Sequence, residues 1–525
     1  MSSTEPPQPE YVGSASESGP GGGDAAGKPG SARGRRTALV VAGSVAVAAA
    51  VGAGAFGVTQ FMSGGSSPAT AVPASAIAYA SLDLDPSAAQ KIEAIKIMRK
   101  FPGLRSQLKI GSRDDLRRVL FEQIQRDGSC GSLNYDRDVK PWLGDRVAVA
   151  AVPEGSRIEP LAVVQVRDQD KARAGVRTLD RCGSDGGDST GVAFSGDYML
   201  VAETASEARR MARSVKSSTL ADDADYKTWM DRVGDPGIVS MYAARSAASH
   251  LLDAAGTTGG ATGRKQLTQA LKGFEGASAV VRFKDGAVET ELSSKGLGAG
   301  AAAATSSGPD IRTLPGSTAA ALSVSLRSGW LDSLGVSDDP ALQQLMRQGE
   351  QATGLRLPGD IETLLGSGFD VSIDSGADFR QLSSSPDPTT IPVGIRIKGD
   401  PAKIKAVLAK LTAAAGPQAD LIKVRSSGDL VAVGTDPAYV ASLLAKGDLG
   451  DGAAFKRVVP EAGRSTGTFF VDFDAGGGWL ERLISSFGGG QQEVLANVKP
   501  LDALGVSGWQ DGEGVQHALL RLTTD

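Results

Sequence analysis

The sequence predicts an α+β fold with largely antiparallel sheets, carried twice along the chain behind a polar tail and one transmembrane helix. Three observations lead there. An uncharged apolar run, Thr37 to Met62, separates a polar leader from everything capable of folding. Beyond it, short motifs recur in the same order in two halves. Within each half, alternating strands and amphipathic helices are joined by hairpin turns of the Ser-Gly-Asp and Asp-Gly kind.

The bulk composition fits a mostly folded chain. With 525 residues the chain exceeds what one core organises, and 41% hydrophobic against 22% charged residues is ordinary for globular domains. Net charge is −5. In the tail, Lys28, Arg33, Arg35 and Arg36 balance Glu5, Glu10, Glu17 and Asp24, so the whole negative balance lies beyond the apolar run. No extensive basic patch is present there, which argues against nucleic acid as a partner, because phosphate binding needs clustered Lys and Arg.

Residues 1–36 are rich in Ser, Gly, Pro and Glu and bury too little to offset chain entropy; a disordered cytoplasmic tail is expected. Residues 37–62 can cross a hydrocarbon core of about 30 Å as a helix. Arg33, Arg35 and Arg36 abut one end, while the next basic residue beyond the run is Lys91. The positive-inside rule then places the tail in the cytoplasm and the remainder outside, anchored in the cell membrane. A cleaved signal peptide is the alternative, but the run is long for an h-region and its leader is long as well. Residues 63–70, SGGSSPAT, read as a flexible linker.

The duplication follows. Val72-Pro73 to Leu84 pairs with Leu314-Pro315 to Leu326, with Ser81 opposite Ser323. Asp138 to Gly144 pairs with Asp360 to Gly366, each entering a strand. Val164 to Arg167 and a helix from Asp170 match Ile395 to Lys398 and a helix from Pro401. The turns Ser195-Gly196-Asp197 and Ser427-Gly428-Asp429 correspond, as do Asp285-Gly286 and Asp511-Gly512. The first repeat spans residues 71–293, a linker 294–310, and the second repeat 311–525. Helical spacing marks Ile92-Ile95-Met98, Ala205 to Val215, Ile404 to Leu411 and Tyr439 to Leu444.

Catalytic signals are thin. The two histidines, His250 and His517, read as structural or surface residues, which weakens zinc, triad and Cys-His chemistry. Gly52 to Gly57 fits a dinucleotide fingerprint inside an apolar run that leaves no room for a strand–turn–helix unit. Ser189 and Ser465 lie in G-x-S-x-G patterns, but each precedes a strand, the reverse of a nucleophile elbow. Asp83 and Asp85 share one strand face and are the carboxylates available for acid/base or cation chemistry; their bland reading is a solvated strand end. No metal, cofactor or catalytic residue is assigned. Cys130 and Cys182 are the chain's two cysteines, and in an oxidising compartment the simplest expectation is one disulfide.

The stretch from Pro73 to Pro102, with Tyr79, Asp83-Leu-Asp85-Pro86 and Lys100-Phe-Pro102, resembles the start of the actinobacterial family known only as domain of unknown function 3352. That resemblance implies the same layout of tail, single membrane segment and extracytoplasmic α+β region. It carries no activity to transfer. The expected function is therefore a non-catalytic binding or scaffolding module of the cell envelope, with an unknown envelope protein or ligand as partner. A carrier or sensor of an apolar envelope ligand is the alternative, and an enzyme using Asp83 and Asp85 the third reading.

Overall fold

The computed structural model describes residues 67–84, 88–102, 133–155, 157–183, 190–258, 270–297, 308–333, 340–376, 392–486 and 492–525, with a few isolated positions between them. The expected tail and membrane helix, residues 1–62, lie outside the described residues. Among the described residues no helix is long and apolar enough to cross a membrane.

One antiparallel sheet of 16 strands organises the chain. The first half supplies β1 (Ala78–Asp83), β2 (Leu143–Glu154), β3 (Arg157–Val166), β4 (Gly191–Ser195), β5 (Tyr198–Ala202), β6 (Val239–Ala244), β7 (Gly276–Lys284) and β8 (Ala287–Lys295). The second supplies β9 (Thr318–Ser325), β10 (Gly368–Asp374), β11 (Val393–Lys398), β12 (Lys423–Ser427), β13 (Leu430–Gly434), β14 (Gly467–Asp472), β15 (Leu501–Gln510) and β16 (Gln516–Thr524). The spatial order is β12-β13-β11-β10-β9-β14-β15-β16-β8-β7-β6-β1-β2-β3-β5-β4. Read inward from either edge, the two halves have the same order, and they meet where β8 pairs antiparallel with β16. Small contacts repeat as well. The Val72 carbonyl accepts from the Leu220 amide at 2.8 Å, and the Leu314 carbonyl from the Leu449 amide at 3.0 Å.

The local chemistry behind these elements is plain. Gly196 and Gly428, both left-handed, turn β4 into β5 and β12 into β13; residues with a side chain are strained in that conformation. Asp285 and Gly286 do the same between β7 and β8. Helices start on side-chain caps: Thr204 opens the helix that begins at Ala205 with a reciprocal capping box, and Asp400 and Asp436 cap helices whose first residue is proline.

On the front face the first half is covered by α3 (Ala205–Ser217) and α4 (Ala224–Arg232), whose Ala208, Met211, Val215 and Trp229 join Tyr79, Leu161, Val163 and Leu200 in one core. In the second half α9 (Pro437–Ser442) and α10 (Ala453–Val458) lay Tyr439, Val440, Phe455 and Val458 over Ala321, Ala432 and Phe470. Gly505 permits that approach, since a Cβ there would lie 2.2 Å from the Val458 carbonyl oxygen. On the back face α1 (Ala88–Lys100) and α2 (Gln169–Gly183) cover the first half. The second half carries α7 (Gly359–Leu365) and α8 (Pro401–Ala415) at one end of its strands, and α11 (Ala475–Ser486) at the other. Among the described residues are also α5 (Ala247–Thr258), α6 (Pro340–Thr353) and α12 (Gln492–Val498), and a single helical turn at Trp330–Ser333.

Three expectations need correction. The linker ends early: Pro68–Ala71 is a 3-10 helix, and Ala69 and Ala71 are buried in the first core because small apolar side chains fit beneath α3. The first repeat runs past residue 293, since Ser294 and Lys295 continue the ladder against Gln516 and Gly276. In α1 the buried face is Ala94 and Ile97, leading to Phe101, while Ile92 is exposed. The side chains of Ile95 and Met98 lie outside the described residues.

Candidate functional site

Cross-strand registers place two rows of polar side chains on the front face, on either side of the β8–β16 seam. One row is Trp509, His517, Ser293 and Ser278, carried by β15, β16, β8 and β7. The other is Arg282, Glu289 and Arg521, from β7, β8 and β16.

The first row contains a Ser-His-Asp arrangement. Ser293 Oγ lies 3.0 Å from His517 Nδ1, and His517 Nε2 lies 3.2 Å from Asp511 Oδ2. The His517 ring stacks on Trp509, with centroids 5.2 Å apart, and the Arg464 guanidinium also lies over that indole, at 4.1 Å. Partial burial pushes the Asp511 carboxyl up, but bonds from His517 and from the Val515 and Glu513 amides outweigh it and hold it below the usual range. Ser293 is 0% exposed, so no substrate carbonyl can reach its hydroxyl. The arrangement fixes the β15–β16 turn against β8.

The second row is a buried ion network. Arg282 donates from Nε to Glu289 at 2.8 Å and from Nη1 to the carbonyls of Val233 and Asp235 at 2.7 and 3.0 Å, and it also pairs with Glu291. Glu289, 3% exposed, has Arg521 Nε on its other oxygen at 3.4 Å. Arg521 crosses the seam to the Lys284 carbonyl at 2.9 Å, while Arg232 crosses in the opposite sense to Glu513 at 2.9 Å. These bonds tie the halves together.

A further buried pair, Arg396–Asp370 at 2.6 Å, links β11 to β10 and anchors the turn at Asp310 and Thr313. Asp474, Asp502 and Asp525 bring carboxylate oxygens within 4.8 Å of one another, the one acidic group of metal-ligand type among the described residues. Burial and then the neighbouring Asp525 push Asp474 up to about 6. Asp502 already accepts two bonds from Arg457 and one from Thr523, which leaves it little capacity for a cation.

The back face carries the least satisfied surface. Registers line up Ile395, Val371, Leu322, Phe469, Val506 and Leu520 across β11, β10, β9, β14, β15 and β16. Ile395, Leu322 and Phe469 are 38%, 40% and 37% exposed. On one flank α11 buries Val471, Ile373 and Ala320; on the other α7 and α8 cover Phe369, Ile397 and Val431. The row between is apolar and partly open: Ile395, Leu322 and Phe469 are exposed, and Val371, Val506 and Leu520 are half-buried. Continued into the first half, the same register meets Thr290 and then Val281, Val239, Leu82 and Val147, the first two beneath α1.

Of the residues singled out by sequence, Asp83 ends β1 and pairs with Arg146 on β2 at 3.4 Å, so its charge is compensated. Asp85 lies outside the described residues, as do Arg33, Arg35, Arg36, Ser189 and Cys130; Cys182 falls in α2, its side chain likewise outside. Ser465 donates to the carbonyls of Gly467 and Gly508 at the entry to β14, a turn role. His250 lies in α5. The Ser293–His517 pair and the Glu289 network were invisible to sequence spacing; the alternation Val-Glu-Thr-Glu in β8 reads equally well as a solvated strand face.

A family model described as "Protein of unknown function (DUF3352)" matches residues 37–365. The chain belongs to that family. The DUF3352 match begins at the apolar run and covers the whole first half and the opening of the second. No curated protein matches the chain. Two solved structures show a distant likeness, both of TP0453. Crystal form III is 12% identical with a TM-score of 0.20, covering 44% of this chain and 80% of that one. Crystal form I is 9% identical with a TM-score of 0.21, covering 73% and 100%. Scores so low carry no argument about fold or function.

Proposed function

We propose that this protein is a single-pass, extracytoplasmic binding module of the cell envelope, built by internal duplication, and that the apolar band on its back face is the binding surface. The observation that carries the reading is the adjacent exposure of Leu322, Phe469 and Ile395 on neighbouring strands. Aligned apolar side chains left open beside well-covered rows are a common mark of an interaction surface. The repeated strand order supports the duplication. The arginines before Thr37 support an outward-facing C-terminal part. Against turnover speaks the burial of Ser293, the member of its cluster that would have to act as nucleophile. Within this reading Cys130 and Cys182 form a disulfide outside the membrane.

The test is a photo-crosslinking amino acid at position 469, irradiated in cells carrying the full chain, with exposed position 213 on α3 as control. A discrete adduct at 469 and none at 213 is expected. Equal labelling at both positions, or none at either, removes the band as a binding surface. Protease added after wall digestion should shorten the chain from its C-terminal side, and full protection would reverse the orientation.

A further inference from the structure

We infer that the outer face of α3 lies on the anionic headgroups of the membrane that anchors the chain; this rests on the single-pass anchor proposed above. Two observations meet at that helix. The first is where the chain enters the fold. Ser67 caps the 3-10 helix Pro68–Ala71, whose Ala69 and Ala71 pack in one core with Ala208, Met211 and Val215 of α3. Four residues, Ser63 to Ser66, separate the apolar run from Ser67, which is exposed. Fully extended, that tether spans at most about 18 Å. The headgroup layer takes up about 5–7 Å of it. α3, about 10 Å across with its side chains, lies over the entry helix and fills the remainder. Even a stretched tether therefore holds the outer face of α3 at the headgroups.

The second observation is charge. Arg209, Arg213 and Lys216 stand at i, i+4 and i+7, one stripe turned away from the core, and all three are exposed. Among the described residues no carboxylate pairs with them; Arg209 donates to the Ala205 carbonyl of its own helix. The nearby acids are engaged elsewhere. Glu207 closes the capping box at Thr204, and Glu154 and Glu159 pair with Arg210, off the stripe. Asp222 accepts from Thr219, and Asp223 caps α4, with Asp225 in its first turn. The other exposed residues of α3 are Ala205, Ser206, Ser214 and Ser217. None of these would insert among acyl chains, so the contact is with headgroup phosphates. The internal duplicate lacks the stripe. α9 takes the corresponding place: each helix opens on a cap two residues after a hairpin strand, and each is followed by the leucine amide bonded back to the entry segment, Leu220 to Val72 and Leu449 to Leu314. From Pro437 to Leu449 the one basic residue is Lys446, balanced by Asp448. The basic stripe thus belongs to the half joined to the apolar run.

The test uses the full chain in phosphatidylcholine vesicles, with or without phosphatidylglycerol, in which some headgroups carry a nitroxide quencher. A fluorescent amino acid is placed at position 217, at the end of α3, or at exposed position 438 on α9; these helices lie over opposite edges of the sheet. With phosphatidylglycerol present, quenching at 217 should exceed that at 438 by about threefold or more, and Arg209→Gln, Arg213→Gln and Lys216→Gln together should remove most of the difference, since each cation near an anionic surface contributes about fivefold. Should that variant lose its circular-dichroism melt, raising salt from about 0.1 M to about 1 M on the unaltered chain makes the same comparison, because the screening length falls from about 10 Å to about 3 Å. Equal quenching at 217 and 438, or quenching at 217 that neither charge removal nor omission of phosphatidylglycerol lowers, overturns the inference. A chain that does not float with the vesicles removes the anchor and the inference together; one that floats without quenching at 217 overturns the inference alone. A mobile lipid surface gives a photoreactive residue at position 213 a spread of lipid masses and no discrete adduct, so that position still serves as the control for 469.

Discussion

Glu289 is the residue whose removal tests the seam most sharply. Its carboxylate sits between two guanidiniums, Arg282 at 2.7 Å and Arg521 at 3.4 Å, and it is 3% exposed. Glu289→Ala leaves both cations in place. Arg282 retains Glu291 and the Val233 and Asp235 carbonyls, whereas Arg521 keeps only the Lys284 carbonyl and a distant Asp285 at 3.8 Å. Breaking a buried pair by removing one partner costs about 3–5 kcal/mol, and the alternatives left to Arg282 place the expected loss near the lower end, about 3 kcal/mol. Glu289→Gln keeps an acceptor of the same shape and loses only charge; about 1–2 kcal/mol is expected. Urea unfolding followed by tryptophan fluorescence and by far-ultraviolet circular dichroism reads both values. Probes in the two halves are at hand, with Trp142 and Trp229 in one and Trp479 and Trp509 in the other. The alanine variant should also separate the two transitions, because the ties across the seam run through this network. A loss below about 0.5 kcal/mol would refute the reasoning, as would a glutamine variant as damaging as alanine.

Three further outcomes follow from the same geometry. Asp474→Asn should stabilise the protein at pH 7 by about 0.5–1 kcal/mol once solvent screening is allowed for. The folded carboxyl binds its proton more tightly than the unfolded one, so wild-type stability falls as pH rises from the ordinary carboxylate range through about 6; the two proteins should converge below about pH 4 in pH-dependent melting curves. Gly505→Ala should cost roughly 2 kcal/mol or more in thermal unfolding, because its Cβ would meet the Val458 carbonyl and lift α10 from β15. Ser293→Ala should cost only about 1 kcal/mol and leave crosslinking at position 469 unchanged; loss of that crosslink would connect the front-face cluster to the band.

The hairpins were legible because their chemistry is local. Ser-Gly-Asp and Asp-Gly need no distant partner to turn, and both copies do so where the sequence places them. The entries at Leu143 and Gly368 were legible for a similar reason, since in the matched stretches Asp138 to Gly144 and Asp360 to Gly366 a helical turn leads into the strand. In α1 the helical spacing was legible, but not its facing: Ala94 and Ile97 lie against Val239 and Val281, and Ile92 is exposed. The front-face polar rows failed more completely. Ser293 and His517 are 224 residues apart, and only the β8–β16 register brings them opposite one another.

Sequence alone determined the things that depend on neighbours along the chain: the alternation of strands and helices, the turns, and a motif order that occurs twice. Tertiary structure decided the rest, namely that sixteen strands join into one sheet, that its seam buries arginines and glutamates, and that one apolar row stays partly open. The physical reason is that period-two alternation marks two faces of a strand but not what will cover either of them. Val-Glu-Thr-Glu in β8 and Ala-Leu-Ser-Val in β9 look alike as solvent-facing alternation. Coverage assigns Glu289 to a buried network and leaves Leu322 in the open.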